Sequence, residues 1–374
     1  MSGQTPPKGG TVLATDPGSR TIVVLCEGRA STVPSENVDT LKPGDIVRWD
    51  DDGQPALVWS HPTGEWPGQG SDAFRLSQGA RWSKLRERAR ILDDIRAFFR
   101  QREFLEVETP AVVASAGTEV HLDPAEAMLC GAPSFLITSP EYHMKRLVAA
   151  GAPAIFQICK VWRDGEMGAH HRPEFTMLEW YRPFTDYHAL MEDCEALVLH
   201  LADSKHISYG GRAIDLTPPW RRLTFFDALR QRGGVADPEA LEMDALERIL
   251  IERVEPTLGA DAPEFLTDYP IAMASLARPK STNPKVAERV ELFIGGLELG
   301  NGFSELTDAA TQRQRCDQEN ETRRQIGKQT LPIDEIFLSA LAEGMPPTSG
   351  IAVGLDRLIM LLTDSSTISE VRAF

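Results

Sequence analysis

Two kinds of hydrophobic pattern follow each other along the chain, the first typical of strands and the second typical of helices. Three short β-branched or apolar runs lie at residues 11–13, 21–25 and 45–49. Turn-forming residues such as Pro43 and Gly44 separate them, so the pattern predicts four or five strands in residues 11–60. Such closely spaced strands are typical of a small β-barrel or partial barrel. The polar composition of residues 1–10, rich in Gly and Pro, predicts a disordered tail. The composition of residues 61–75 predicts a linker.

A helical period begins after the linker. Between residues 81 and 101, apolar side chains recur at spacings of three and four, at Leu85, Ala89, Leu92, Ile95 and Phe99. Charged residues fill the positions between them, which predicts an amphipathic helix. Residues 104–110 follow as a predicted strand that ends at a proline. From residue 76 to residue 374, helices and strands alternate without a glycine-rich dinucleotide or P-loop motif. We therefore expect one large α+β domain, an antiparallel sheet flanked by helices.

Charge and composition exclude several classes of protein. The 374 residues include 39 basic and 55 acidic side chains, which gives a net charge of −16 and excludes a uniformly basic nucleic-acid binder. The five cysteines are scattered, without a C-x-x-C pair, and indicate neither a disulfide framework nor a cysteine zinc site. No stretch approaches the roughly 18 consecutive apolar residues of a membrane span. We expect a cytoplasmic protein. The β-rich module is acidic too, which favours a docking or stabilising role for it.

The first candidate site lies in a predicted strand that carries unusual chemistry on one face. Period-two alternation places Phe175, Met177, Glu179 and Tyr181 on the same face. Burying an unpaired carboxylate costs roughly several kcal/mol, so Glu179 should meet a cation. That cation is either an Arg or Lys of this chain, or the ammonium group of a ligand held between Glu179 and Tyr181.

A second candidate site contains two carboxylates, Glu298 and Glu305, on either side of Gly300-Asn301-Gly302. An extended segment would place them on opposite faces, whereas a turn at the glycines would bring both to one side. Paired carboxylates suit Mg²⁺ that bridges phosphate oxygens, although Asn-Gly is also a common hairpin turn.

A third candidate is Arg357, at the predicted start of an apolar helix that follows the small-residue strand 349–354. An arginine there can hold an anion, or it can form an ordinary salt bridge at the end of the helix. The tandem pair His170 and His171 lacks the i, i+4 spacing of a zinc helix, so zinc is not favoured. No G-x-S-x-G motif supports a serine hydrolase.

Together these segments resemble the catalytic domain of class II aminoacyl-tRNA synthetases of the lysyl type. The helix and strand ending at Pro110 are similar to motif 1, the dimer-forming element, which implies a homodimer. Arg163 with residues 171–179 resembles motif 2, and residues 350–357 resemble motif 3. SPEYHMKRL, which begins at Ser139, and the segment from Glu298 to Glu305 resemble the lysyl-specific parts. The resemblance extends over about residues 76–374.

The resemblance implies a role for each candidate residue. Contacts to ATP would come from Arg163, Glu166, His171, Phe175 and Arg357. Contacts to the amino acid would come from Glu141, Glu179, Tyr181, Asn301 and Ala352. Glu298 and Glu305 would hold Mg²⁺. The implied chemistry is an in-line attack of a carboxylate on ATP, catalysed by positioning and by the charges of Arg163 and Arg357.

Three departures from the lysyl pattern refine this interpretation. The Arg-x-Glu opening of motif 2 is here Arg163-Asp164-Gly165-Glu166, so the contact to the adenine amine shifts to Glu166 or to the backbone. Ala352 replaces a glycine, and one methyl group in a packed pocket changes substrate discrimination by about 1–3 kcal/mol. The large anticodon-binding barrel is missing.

Through the last two departures, the chain resembles the truncated lysyl-tRNA synthetase paralogues that attach (R)-β-lysine to a lysine of elongation factor P. The resemblance implies an ATP-dependent ligase that activates lysine or (R)-β-lysine and uses elongation factor P, rather than tRNA, as the acceptor. One alternative is a lysyl-tRNA synthetase-like activity. Another is a catalytically silent paralogue that acts as a binding subunit. The retained Arg163, Glu298, Glu305 and Arg357 argue against a silent paralogue.

Overall fold

The computed structural model describes residues 9–26, 28–63, 65–77 and 81–374. The chain forms two compact units. The first contains residues up to Ala89 together with Glu370–Phe374, and the second contains Arg90–Ser369.

The first unit is built around a five-stranded antiparallel sheet. Its elements are β1 (Gly9–Asp16), β2 (Thr21–Cys26), β3 (Arg29–Pro34), β4 (Ile46–Trp49), β5 (Pro55–Trp59), α1 (Asp72–Ser77) and the beginning of α2 (Arg81–Gln101). The strand order is β3-β2-β1-β4-β5. Its core consists of Val12, Ile22, Val24, Val38, Leu41 and Val47. The predicted β-rich module is therefore confirmed. Within the described residues, β3 and β5 do not pair, so the sheet stays open.

The second unit contains the remaining elements. Its strands are β6 (Leu105–Glu106), β7 (Val112–Val113), β8 (Glu126–Leu129), β9 (Ala132–Leu136), β10 (Ile155–Trp162), β11 (Glu174–Pro183), β12 (His206–Tyr209), β13 (Arg212–Asp215), β14 (Arg221–Thr224), β15 (Glu264–Pro270), β16 (Pro279–Lys280), β17 (Asn283–Ile294), β18 (Leu297–Ser304) and β19 (Thr348–Gly354). Its helices are α3 (Glu141–Ala149), α4 (Tyr187–Ala202), α5 (Phe225–Gln231), α6 (Met243–Ile249), α7 (Ala309–Gln325), α8 (Glu335–Gly344) and α9 (Leu355–Leu362).

A large sheet forms the centre of this unit, in the order β14-β15-β17-β18-β19-β11-β10-β6, with β16 paired to β17. The pairs are antiparallel except β14–β15 and β10–β6, which are parallel. Helices cover much of the central strands, although Asn301 and Ala352 on one face are partly exposed. For example, α3 packs on α8 through the stacked rings of Tyr142 and Phe337, whose centroids are 4.3 Å apart. This contact fixes the position of α3 beside the sheet.

Most of the predicted elements are present. The helix predicted at 81–101 is α2, and the strand predicted from Glu174 is β11. The predicted strand 104–110 shrinks to Leu105–Glu106, although the N–H of Val107 still donates to the backbone oxygen of Phe156 at 2.9 Å. Among the helices of the described residues, none is both long and apolar enough to cross a membrane.

Candidate active site

One row of side chains crosses the centre of the large sheet on a single face. Directly opposite residues of neighbouring strands project to the same face, with Cβ atoms about 4.5–5.5 Å apart. The register pairs Glu291 with Asn301, Asn301 with Ala352, Ala352 with Glu179, and Glu179 with Gln157. The predicted substrate residues Glu179, Asn301 and Ala352 therefore lie side by side.

The next row on the same face contains a position that must be small. Phe303 and Tyr181 both lie opposite Gly350. A Cβ atom on Gly350 would lie 2.2 Å from the ring of Tyr181 and 2.6 Å from Oε1 of Glu305. Only glycine therefore lets the Tyr181 ring and the Glu305 carboxylate meet over the sheet.

Glu179 lies at the bottom of a buried polar pocket. The Tyr181 hydroxyl donates to Glu179 Oε1 at 2.5 Å, and the Ser139 hydroxyl donates to Oε2 at 2.9 Å. Ser139 Oγ also accepts the backbone N–H of Glu141, which ties the start of α3 to β11. Within the described part of the chain, no ion pair includes Glu179, whose side chain is 1% exposed. Of the two partners predicted for Glu179, an Arg or Lys in direct contact is thus absent there.

A buried lysine forms ion pairs with two other carboxylates of this pocket. Lys145, on α3, forms ion pairs with Glu141 and with Glu305, whose Oε2 is 2.5 Å from the ammonium nitrogen. Its side chain is 0% exposed. Three carboxylates, those of Glu141, Glu179 and Glu305, thus face one ammonium group. The pocket carries two uncompensated negative charges when all three are ionised.

Burial controls how easily these groups ionise. Burial and the charge of Glu141 raise the pKa of Glu179 to about 8, against the hydrogen bonds from Tyr181 and Ser139. Burial also raises the pKa of Glu305 to about 8, although Lys145 opposes the shift. Burial disfavours the charged form of Lys145, but the two carboxylates outweigh it and raise its pKa. The carboxyls of the free pocket therefore hold protons that a bound cation can displace.

Arg163 follows β10 and faces the same side of the sheet. Its guanidinium carbon lies 5.2 Å from the centroid of the Phe175 ring. Glu166 Oε1 lies 3.7 Å from Nη1 of Arg163, so the departure at Gly165 still places a carboxylate beside the arginine. The Nε atom of Arg163 is buried and has no hydrogen-bond partner among the described residues. A buried donor without an acceptor is costly, and a bound anion would satisfy it.

Arg357 begins α9 and forms a second cationic centre. It donates to the backbone oxygen of Glu298 at 2.8 Å, and its Nη1 is 3.6 Å from the Glu298 carboxylate. It also contacts the imidazole of His171. Burial and the charge of Arg357 lower the pKa of His171, so the ring is neutral and can accept this hydrogen bond. The structure thus brings His171, Glu298 and Arg357 together.

A carboxylate that the sequence analysis missed lies next to Asn301. Glu291 accepts a hydrogen bond from the Tyr269 hydroxyl and forms an ion pair with Arg289 at 2.5 Å. Arg289 also donates to Oδ1 of Asn301 at 3.2 Å, which leaves the amide NH₂ of Asn301 free to donate to a carboxylate. Burial, Glu291 and Glu298 together raise the pKa of Glu255 to about 7, so these three carboxyls interact.

The structure does not bring Glu298 and Glu305 together. The segment between them remains extended as β18, without a turn at the glycines. Seven residues of strand separate their backbones by about 20 Å, too far for both to bind one ion. Glu298 lies beside Arg357, whereas Glu305 lies with Lys145 in the ammonium pocket. The carboxylate that interacts with Glu298 is Glu291.

Three of the missed residues left a signal in the sequence. Lys145 is four residues after Glu141 on a helix, a spacing at which opposite charges pair. Arg289 and Glu291 are two residues apart in a strand, so both project from the same face. Across residues 9–26, 28–63, 65–77 and 81–374, no group of three or more His, Cys, Asp or Glu side chains is arranged to bind a metal.

Comparison with known proteins gives the family. The sequence model of the class II tRNA synthetases (D, K and N) matches residues 73–374, which begin after the N-terminal sheet. A relative from Erwinia tasmaniensis, named "Elongation factor P--(R)-beta-lysine ligase", is 41% identical over 319 residues, which cover 81% of this chain and 98% of the relative. A relative of the same name from Edwardsiella ictaluri is 42% identical over 319 residues, with 81% and 98% covered. The chain therefore belongs to the class II tRNA synthetase family.

Proposed function

We propose that this protein is an ATP-dependent ligase that activates (R)-β-lysine or lysine as an acyl-adenylate and transfers it to a lysine side chain of elongation factor P. The observation that carries this proposal is Glu179, a buried carboxylate that receives two hydroxyl hydrogen bonds but no ion pair from the described residues. Its missing partner is the distal ammonium group of the substrate. The name of the relatives supports the choice of acceptor.

The charges of the pocket match those of a diamino acid. The two uncompensated negative charges equal the two ammonium groups of lysine or β-lysine. Glu179, Tyr181 and Glu305 receive the distal ammonium, and Glu141 receives the amino group nearer the carboxylate. Arg163 and the amide of Asn301 hold the substrate carboxylate. A substrate with a single ammonium would leave one buried negative charge unpaired, which costs several kcal/mol by rough estimate.

The ATP site lies along the same face. Phe175 and Arg357 hold the adenine between them, and Glu166 contacts its amine. Arg163 neutralises the α-phosphate, and His171 assists Arg357 at the γ-phosphate. The substrate carboxylate oxygen attacks the α-phosphorus, and pyrophosphate leaves with the electrons of the broken P–O bond. No side chain of the protein becomes covalently attached, because alignment and charge neutralisation lower the barrier.

The residues around Glu298 fit Mg²⁺. Glu298 and Glu291 repel each other in the free protein, and together they raise the pKa of Glu255, so a cation would relieve this repulsion. Mg²⁺ is usually bound by one or two carboxylates together with substrate phosphates. When bound, it neutralises charge on the phosphate oxygens. Glu305 is not assigned to the metal, because it lies in the ammonium pocket.

A homodimer is part of the proposal, since the α2 segment and the strand after it are similar to the dimer-forming motif of this family. Elongation factor P takes the place of tRNA as the acceptor. The reason is that the chain has a small acidic sheet where lysyl-tRNA synthetases carry a large anticodon-binding barrel.

The test separates activation from transfer. ATP–pyrophosphate exchange is measured with lysine, (R)-β-lysine and alanine, and alanine should give no exchange. Labelled (R)-β-lysine is then offered with purified elongation factor P or with bulk tRNA. Label on elongation factor P is expected. Label on tRNA alone would contradict the proposed acceptor, and no exchange with any lysine isomer would favour a silent paralogue.

A further inference from the structure

A narrow cavity lies beside the amino-acid pocket, on the far side of Glu141. Its lining includes Ser115, Ala116, Glu119, Ser139, Glu141 and His143. Its volume is about 10 Å³, which is close to the space that one water-sized group requires. An ammonium group has this size. The cavity shares Ser139 and Glu141 with the pocket, so a group placed in it is next to the bound amino acid.

Glu119 is held in this cavity by local backbone geometry. Gly117 has a φ of +101°, and a Cβ atom there would lie 2.4 Å from Oε2 of Glu119. The absence of a side chain at Gly117 therefore leaves room for the carboxylate of Glu119. The intervening residue, Thr118, donates its hydroxyl to Glu319 on α7 at 2.6 Å. The carboxyl group of Glu319 thus approaches this short segment from α7.

A buried arginine keeps the segment in place. Arg323 of α7 is 2% exposed and donates to the backbone oxygens of Glu119 at 2.8 Å and of Leu122 at 3.0 Å. It also pairs with the carboxylate of Asp123 at 2.8 Å. The position of Glu119 is consequently defined by the fold, although the segment is neither helix nor strand.

The charges around Glu119 make it a group that accepts a proton. Burial, Glu319 on α7 and Glu141 on α3 raise the pKa of Glu119 to about 8, and Arg163 acts against them. Arg163, which is proposed to neutralise the α-phosphate, is thus one of the charges that act on Glu119. The cavity also contains His143, whose pKa burial and Arg146 lower, and Tyr142, whose pKa burial raises strongly. His143 is neutral near pH 7 but binds a proton more weakly than the Glu119 carboxylate does, so it is the weaker base. Tyr142 keeps its own proton.

The transfer step requires such a group, because an acceptor lysine has a pKa of about 10.4 and is an ammonium ion at neutral pH. We propose that Glu119 is the general base of the transfer step and that the cavity receives the ammonium of the acceptor lysine. This inference rests on the proposed function.

The carboxylate of Glu119 takes one proton from the acceptor ammonium and leaves a neutral amine. The nitrogen lone pair forms the new C–N bond with the acyl carbon, and the C–O bond to AMP breaks, with its electron pair leaving on the phosphate. The second proton leaves the nitrogen to solvent as the amide forms. The products are the amide, AMP and two protons.

The test compares Glu119→Gln and Glu119→Asp with Glu321→Gln, a control at an exposed carboxylate of α7. In Glu119→Gln, pyrophosphate exchange should stay within about twofold of wild type, while transfer to elongation factor P falls about 10²–10⁴-fold. Glu119→Asp should recover part of the transfer rate. Wild-type transfer should level off above about pH 8, whereas Glu119→Gln should keep rising toward the pKa of lysine.

Several results would overturn the inference. One is a normal transfer rate in Glu119→Gln with a normal pH profile. Another is an equal loss of exchange and transfer in both Glu119 variants with a lowered melting temperature, which indicates a structural role. A raised KM for the amino acid in exchange would assign Glu119 to the substrate amino group instead. If wild-type protein itself fails to modify elongation factor P, the proposed function fails, and this is seen before any variant is compared.

Discussion

Lysine-type substrates should bind with release of protons, and their affinity should rise with pH. The free pocket contains the carboxyls of Glu179 and Glu305, whose pKa burial raises to about 8. Both must be ionised to pair with an ammonium group. At pH 7 such a group is about nine-tenths protonated, so ionising it costs about 1.4 kcal/mol. Proton release on binding means that affinity increases with pH until the pKa of the free pocket is passed.

The size of the effect depends on how many protons leave. The two carboxyls interact, so their protons belong to the pair rather than to either residue. Release of one proton raises affinity about tenfold between pH 7 and pH 8.5, and release of two raises it up to about a hundredfold. Lys145 stays charged and Tyr181 stays neutral through this range, because the pKa of each is raised.

Calorimetric titration of (R)-β-lysine in buffers of different ionisation enthalpy measures the released protons directly. Between one and two protons are expected at pH 7 for wild type, and about one fewer for Glu179→Gln. Affinity that does not change between pH 6.5 and pH 8.5, with no proton release, would refute the reasoning. The carboxyls would then be ionised already or would not contact the ligand.

Three further predictions test separate parts of the site, and a fourth tests the homodimer. Glu179→Gln removes the partner of the distal ammonium and should weaken amino-acid binding by about 2–5 kcal/mol, measured as KM in pyrophosphate exchange; unchanged KM would mean a structural role. Ala352→Gly should shift preference toward lysine over (R)-β-lysine by about 1–3 kcal/mol, and identical selectivity would exclude Ala352 as a determinant. Glu291→Gln should raise the Mg²⁺ concentration needed for half-maximal exchange, whereas Glu305→Gln should raise KM for the amino acid; the reverse pattern would restore Glu305 to the metal. If the protein is a homodimer, light scattering should give twice the monomer mass. A monomer at micromolar concentration would contradict the proposed homodimer.

Local patterns were sufficient to predict much of the fold. The helical period of α2 and the alternation of β11 depend only on neighbouring residues, so residues 81–101 and the face of Phe175, Glu179 and Tyr181 could be recognised from the sequence. The strands of the N-terminal module were predicted from the same kind of pattern, as a small barrel or partial barrel, whereas the described strands form an open sheet.

The pairing between strands could not be recognised in this way. Whether Glu298 meets Glu305 or Glu291 depends on the register of β17 against β18, and that register is a property of two strands. The spacing of Glu298 and Glu305 within one strand gave no information about it. Lys145 illustrates the same limit. A lysine in an amphipathic helix is expected at the surface, whereas Lys145 is buried and forms ion pairs with two carboxylates.

The guanidinium of Arg323 shows how an irregular segment can be as well defined as a strand. Its donors hold residues 119–123 to α7 at several points, a task for which the three donors of a lysine ammonium are too few and too mobile. The position of residues 119–123 at this edge of the pocket is thus fixed by a side chain of α7, which lies outside the segment. Side chains of the segment other than that of Asp123 can consequently change, to suit a different acceptor, while Arg323 still holds the backbone in place.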